Sequence, residues 1–206
     1  MGGDLTGRFV ALEGVDGAGK TTQLALLADA LRARGHDVVT VREPGGTPLG
    51  ERLRDVLLHP GGAPPAPEAE VLLFAAARAQ LVAEVIRPAL RAGRFVLCDR
   101  FVDSSLAYQG AARGLGIDEV WRANLLAVGD CLPHRAVVLD VAVAQAAARA
   151  RGGDRIEGEG TAFQERVAAG YREVARRFPE RVVMVAAAGE PGEVHAAVMR
   201  SLEGIA

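Results

Sequence analysis

The sequence predicts an α/β domain built on a doubly wound, five-stranded parallel sheet. Two observations predict the sheet and a third places a site on it. Five short apolar or β-branched runs recur at residues 9–12, 38–41, 95–98, 136–139 and 182–185. Stretches of helical character separate them, which is the pattern left by buried parallel strands joined through crossover helices. Between the first run and the first helical stretch stands Gly14-Val15-Asp16-Gly17-Ala18-Gly19-Lys20-Thr21, a match to GxxxxGK[ST].

The elements follow in order. A helix is expected over residues 19–34, stopped by Gly35. Residues 60–67, rich in Gly, Pro and Ala, read as a loop. Pro67 then opens a long helix, with Glu68 and Glu70 near its positive dipole end. Pro88 interrupts that helix and predicts a kink over residues 84–87. Thr161-Ala162-Phe163-Gln164 reads as a capping box. It starts a helix with the apolar stripe Phe163, Val167, Tyr171, Val174 and Phe178. Residues 149–160, rich in Gly and charge, predict a mobile lid. With no repeat and no linker, residues 1–206 read as one domain.

Composition narrows the function classes. A net charge of −2 argues against a nucleic-acid coat or an anionic membrane surface, so an anion site must be built locally. Lys20 is the only lysine beside 23 arginines, and it sits inside the glycine-rich motif. A compact ammonium and a planar guanidinium are not interchangeable there. Cys98 and Cys131 show no metal-ligand spacing and read as reduced core thiols. No apolar run approaches membrane-spanning length, and residues 1–7 lack a leader pattern. The expectation is a cytoplasmic protein without nucleic-acid or membrane partners.

The glycine-rich motif carries the first chemistry. Its glycines let the backbone turn N–H groups towards a phosphate, and the following helix N-terminus adds positive potential. Gly14, Val15, Asp16, Gly17, Ala18, Gly19, Lys20, Thr21 and Thr22 are therefore expected to hold the phosphates of a nucleotide, in the P-loop NTPase fold; the family resemblance below makes that nucleotide ATP. Lys20 is expected on the β- and γ-phosphates, and Thr21 on Mg²⁺. The motif alone names no reaction.

Two further strand ends point to a second anion. Asp99-Arg100-Phe101 ends the third run, and Arg42-Glu43-Pro44-Gly45-Gly46-Thr47 ends the second. Ligands bind at the carboxyl ends of parallel strands. Asp99 can hold Mg²⁺ or its water, and an arginine clamps phosphate bidentately.

Five blocks together resemble the signature of thymidylate kinases. They are residues 13–23, Arg42 to Thr47, Leu73-Phe74-Ala75-Ala76-Ala77-Arg78-Ala79-Gln80, Asp99-Arg100-Phe101 and Asp154-Arg155-Ile156-Glu157. They occur in the family's order and spacing over almost the whole chain. The resemblance implies transfer of the γ-phosphoryl group of ATP to dTMP, with Mg²⁺, in a homodimer; apolar helices such as that at residues 71–81 are candidates for its interface. It also implies residue roles. Phe74 and Arg78, four apart on one helix face, stack on and donate to thymine. Ser105 and Gln109 contact the base edge, and Tyr108 crowds a ribose 2′-hydroxyl. Asp16 approaches the 3′-hydroxyl and the acceptor phosphate, which Arg42 and Arg100 clamp.

The family places one more arginine over the transferring group, in the P-loop or in the lid. Gly17 occupies the P-loop position here, while Arg149, Arg151 and Arg155 crowd the lid. The chain thus resembles the bacterial branch, with Lys20, Asp16, Arg100 and Arg155 as the catalytic set. Phe101 stands where many relatives carry Tyr, and Ile156 replaces an aromatic residue. A kinase of another nucleoside monophosphate, or a P-loop switch without transfer, stays open at this stage. The chain shows no NKxD-type guanine motif.

Overall fold

The computed structural model describes residues 5–61, 63–150 and 152–205. Strand β1 (Arg8–Glu13) feeds the glycine-rich loop and helix α1 (Lys20–Ala33), and β2 (Val38–Arg42) follows. Helices α2 (Pro48–Leu58) and α3 (Pro67–Leu81) come before β3 (Phe95–Asp99), with a short α4 (Arg87–Arg91) between. Then come α5 (Val102–Ser105), α6 (Ile117–Val128), β4 (Arg135–Asp140) and α7 (Val143–Arg149). Helix α8 (Thr161–Arg177), β5 (Val182–Ala186) and α9 (Pro191–Ser201) complete the order.

Among the described residues the sheet has five strands in the order β2-β3-β1-β4-β5, and every pairing is parallel. The five apolar runs read from the sequence all fall inside these strands. Residues 9–13 of β1 and 95–98 of β3 are buried without alternation, as strands covered on both faces must be. Helix α1 packs on β1, β2 and β3 and against α9, while α8 packs against β5. The register sets Leu12 and Arg42 beside Asp99, so three strand ends stop in one row. The connection after β1 runs towards β2 and the one after β3 crosses to β4 on the other side of β1, which opens a crevice at that row.

Three expectations change on folding. Thr161 is the first helical residue of α8 and not its cap. Gly160, at φ 84°, turns the chain before it, and the side chain of Gln164 reaches Asp16 instead (Nε2 to Oδ2, 3.3 Å). Pro88 lies just beyond a π-helical turn at Val82–Ile86. The missing proline N–H is thus absorbed by a widened turn, and α4 continues beyond it. Glu70 does more than complement a helix dipole, because it is buried to 1% exposure.

Candidate active site

The carboxyl ends of β1, β2 and β3 border a cleft of about 320 Å³. Its walls include Asp16, Lys20, Thr21, Arg42, Asp99 and Arg100. Phe74, Arg78, Ser105, Tyr108 and Gln109 also line it. The fold therefore joins the glycine-rich motif to the residues read as a base pocket.

On the donor side, Gly14, Gly17 and Gly19 all have positive φ, which only glycine adopts freely. A Cβ at Gly17 would overlap the carbonyl oxygen of Ala146 in α7, so α7 leaves no room there for an arginine. The Lys20 ammonium donates to the carbonyls of Gly14 (3.2 Å) and Val15 (2.9 Å). Burial, and then the nearby Arg100 charge, push it down to about 8. Thr21 Oγ1 donates to Asp99 Oδ2 at 3.0 Å. This hydroxyl and carboxylate are hard oxygen donors and suit Mg²⁺. The described residues hold no group of three or more His, Cys, Asp or Glu able to hold a metal alone. Mg²⁺ here would therefore complete its coordination with phosphate oxygens and water.

Arg100 stands at the centre of the acceptor side. It is the only non-glycine residue with positive φ (69°) among those described, a backbone cost of roughly 1–2 kcal/mol. Its own N–H donates to Leu12 O (2.9 Å), and the next N–H, of Phe101, donates to Glu13 Oε1 (2.7 Å). The guanidinium donates to Gly14 O (2.9 Å), Ser104 Oγ (3.2 Å) and Tyr171 Oη (3.2 Å), and it pairs with Asp16. Burial acts to raise the Asp16 carboxyl, but Arg100 and Lys20 outweigh it and hold it below the usual range. Tyr108 donates to the same carboxylate at 3.2 Å. Arg42 is held by both oxygens of Glu51 (3.0 and 2.9 Å) at the start of α2. Arg54 also lines the cleft and donates to Pro44 O at 3.0 Å.

Arg78 is 1% exposed, and its five N–H groups all have protein acceptors. It pairs with Glu43 (Nη2 to Oε2, 2.6 Å; Nε to Oε2, 2.8 Å) and donates to Phe101 O (3.1 Å). It also donates to Ser105 Oγ (3.2 Å) and Asn124 Oδ1. In this arrangement no N–H of Arg78 remains for a base. The Ser105 hydroxyl, which accepts from Arg78, donates to no group among the described residues. Burial pushes the Glu43 carboxyl up to about 7 against the pull of Arg78.

Arg149 and Arg155 of the lid segment are engaged outside the cleft in this structure. The Arg155 guanidinium donates to Leu57 O (2.9 Å) and pairs with Glu70 (2.5 Å). It does not line the cleft, whereas its neighbours Asp154, Ile156 and Glu157 do. Asp154 Oδ1 accepts from the N–H groups of Ile156 (2.9 Å) and Glu157 (2.8 Å) and shapes that turn. Arg149 is turned to Ala187 O (3.4 Å) and is also absent from the cleft wall. Arg151 lies outside the described residues.

Sequence reading missed the acids that hold these groups. Glu13 is fully buried and accepts from Phe101 N, Ser104 Oγ (2.6 Å) and Tyr171 Oη (3.0 Å). Glu70 accepts from Gln109, Arg113 and Arg155. Two signals were available. Glu13 is a lone acid ending an apolar strand, and Glu70, Phe74 and Arg78 fall on one helix face at spacings of four.

Comparison with known proteins identifies the family and the fold. The family profile described as Thymidylate kinase matches residues 12–198. A thymidylate kinase of Syntrophotalea carbinolica is 48% identical over 195 residues, covering 90% of each chain. One of Desulforudis audaxviator is 50% identical over 197 residues, covering 94% of this chain and 89% of the other. A crystal structure of thymidylate kinase from Ehrlichia chaffeensis superposes with a TM-score of 0.78 at 32% identity. It covers 96% of this chain and 98% of that one.

Proposed function

The chain belongs to the thymidylate kinase family, and we propose that it transfers the γ-phosphoryl group of ATP to dTMP through two opposed cationic grips, giving dTDP and ADP. The observation that carries this reading is the shared cleft. Lys20 and Thr21 of the glycine-rich loop line it together with Phe74, Ser105 and Gln109.

The acceptor oxygen belongs to a phosphate that is largely dianionic at neutral pH, so no general base is required. The protein's task is alignment and charge. Lys20 leaves the carbonyls of Gly14 and Val15 for the β- and γ-phosphates, and the loop N–H groups hold the rest of the chain of phosphates. Thr21 and Asp99 would hold Mg²⁺, which would supply positive charge against the phosphates. Arg42 and Arg100 take the acceptor phosphate. Arg100 is already fixed by four protein groups, so little order is lost on binding. Asp16 faces the sugar 3′-hydroxyl, and Tyr108 closes the space a 2′-hydroxyl needs. Phe74 offers the ring a flat face, with Ser105 and Gln109 at its edge.

Arg155 is the charge we assign to the transferring group. To reach it, Arg155 leaves Glu70 and Leu57 O as residues 149–160 close over the cleft. Arg149 begins the same segment. Closure also excludes water and so limits ATP hydrolysis.

The chain works as a homodimer. Val56 of α2, Leu72 of α3 and Leu125 and Leu126 of α6 are exposed large apolar side chains, on three helices that pack side by side. Leu126 is 96% exposed, and water is a poor solvent for such a surface. Within residues 71–81 the remaining apolar contacts are mostly internal, so Leu72 is the side chain offered to a second copy. No helix among the described residues is long and apolar enough to cross a membrane. Its buried free thiols Cys98 and Cys131 suit the reducing cytoplasm, where we place it.

The test of function is ADP release, coupled to an optical readout, with Mg-ATP and a panel of monophosphates. Strong turnover with dTMP and little with AMP, GMP or CMP supports the reading. Equal turnover across the panel contradicts it.

A further inference from the structure

We propose that Glu70 sets the hydrogen-bond polarity of the acceptor pocket by holding the Gln109 amide in one orientation, so that the pocket takes a pyrimidine bearing N3–H and rejects one whose N3 is an acceptor. The proposal rests on the reading of this cleft as the dTMP site and adds a residue that does not touch the base.

The geometry leaves Gln109 little choice. Its side chain is 2% exposed and lines the cleft. Gln109 Nε2 donates to Glu70 Oε1 at 2.8 Å. An ionised carboxylate only accepts, so the amide must turn its NH₂ towards Glu70 and its carbonyl Oε1 away. No protein group among the described residues donates to that Oε1, which leaves it for the cleft. A buried Glu70 would tend to protonate and lose this control. Arg113 prevents that whether the lid is open or closed, and Arg155 adds to it until the lid closes. Arg113 donates from Nε to Oε1 (2.7 Å) and from Nη2 to Oε2 (3.1 Å), and Arg155 donates to Oε2 (2.5 Å). Together with Gln109 they hold the Glu70 carboxyl below its ordinary value against the opposing effect of burial.

The consequence is chemical. Thymine and uracil carry a proton on N3 and present a donor to Oε1. Cytosine has a bare N3, so two acceptors would face each other in a dry pocket. A site built to pair with one hydrogen-bond pattern rejects its inverse far more strongly than it resolves a methyl group. Glu70 therefore separates thymine or uracil from cytosine and leaves thymine against uracil to shape.

The test is the ratio of kcat/KM for dTMP to kcat/KM for dCMP in four proteins: wild type, Glu70→Gln, Gln109→Leu and the double variant. A glutamine at 70 presents a donor as well as an acceptor, so the Gln109 amide is free to turn over. The expected result is a ratio at least about tenfold lower in Glu70→Gln, the loss of one oriented hydrogen bond. In the Gln109→Leu background the Glu70 change should alter the ratio by less than about twofold, because the two act as one unit. If Glu70→Gln does not fold, the same ratio is read in Glu70→Asp. That variant keeps a charge for Arg113 and Arg155 but withdraws it from Gln109, and the ratio should fall again. An unchanged ratio in either variant, whatever the loss of turnover, overturns the proposal and leaves Glu70 a structural residue. An equal drop with and without Gln109 overturns it too. A wild-type protein that does not prefer dTMP to dCMP is a separate result, which removes the reading of the cleft itself.

Discussion

Replacing Arg78 by lysine keeps the charge and removes the fork. The guanidinium supplies five N–H groups to Glu43, Phe101 O, Ser105 and Asn124, all within a region where Arg78 is 1% exposed. An ammonium has three donors on a single atom. It can stay with Glu43 and reach one more acceptor. About two acceptors are then left buried without a donor, at roughly 1–3 kcal/mol each. The expected loss is about 2–6 kcal/mol from a domain whose whole stability is on the order of 5–15 kcal/mol. Urea unfolding measures it, with the midpoint lowered and the slope kept. Because Ser105 loses its anchor, KM for dTMP should rise at least about tenfold while KM for ATP holds, the cost of about one oriented hydrogen bond. A stability change within about 0.5 kcal/mol, of the size seen at indifferent surface positions, together with an unchanged KM for dTMP, would refute the claim that Arg78 organises the base pocket.

Glu13 gives a prediction in pH. Burial first, then the charge of Asp103, raise its carboxyl from 4.5 to about 7. The folded protein holds this proton more tightly than the unfolded chain. Its contribution to stability is full below about pH 4.5 and is lost as pH rises through 7. The size is about 3 kcal/mol, so in Glu13→Gln the fall in stability between pH 5 and 7.5 should be shallower by an amount of that order. Parallel slopes by urea titration in the two proteins would count against it. Arg155→Ala should lower kcat by roughly 10²–10³-fold with a modest change in dTMP affinity, the scale of losing one positioned charge in the transition state. Intact single-turnover rates would remove Arg155 from the mechanism. Gly17→Ala combines an unfavourable left-handed backbone with overlap on the Ala146 carbonyl. It should cost at least about 1–2 kcal/mol and weaken ATP binding. Calorimetric titration with ATP showing wild-type affinity would contradict this.

The sheet was legible because buried parallel strands announce themselves as unbroken apolar runs, and all five runs lie within strands. The phosphate loop was legible because its spacing is local. The partners of its neighbours were not. Glu70 and Arg155 stand 85 residues apart in the chain, and Glu13 and Ser104 stand 91 apart. No local pattern encodes such pairings; they exist only once β1 and β3 lie side by side and α3 crosses the base pocket. Arg78 shows the same limit. The family resemblance, not the spacing, set it beside Phe74 at the base, and both line the cleft, but the sequence could not show that Glu43, Ser105 and Asn124 would consume its donors. The capping box at Thr161 failed for a local reason, since Gly160 supplies the turn and frees Gln164 to meet Asp16.

The most direct test is a crystal structure with dTMP and a non-hydrolysable ATP analogue bound together. The prediction is a thymine ring stacked on Phe74 at a centroid distance of about 4.5–7 Å, with Gln109 Oε1 facing N3. The acceptor phosphate should lie on Arg42 and Arg100, in line with a γ-phosphate held by Lys20. A pyrimidine ring bound away from Phe74, or two nucleotides whose phosphates do not meet between Lys20 and Arg100, would contradict the account.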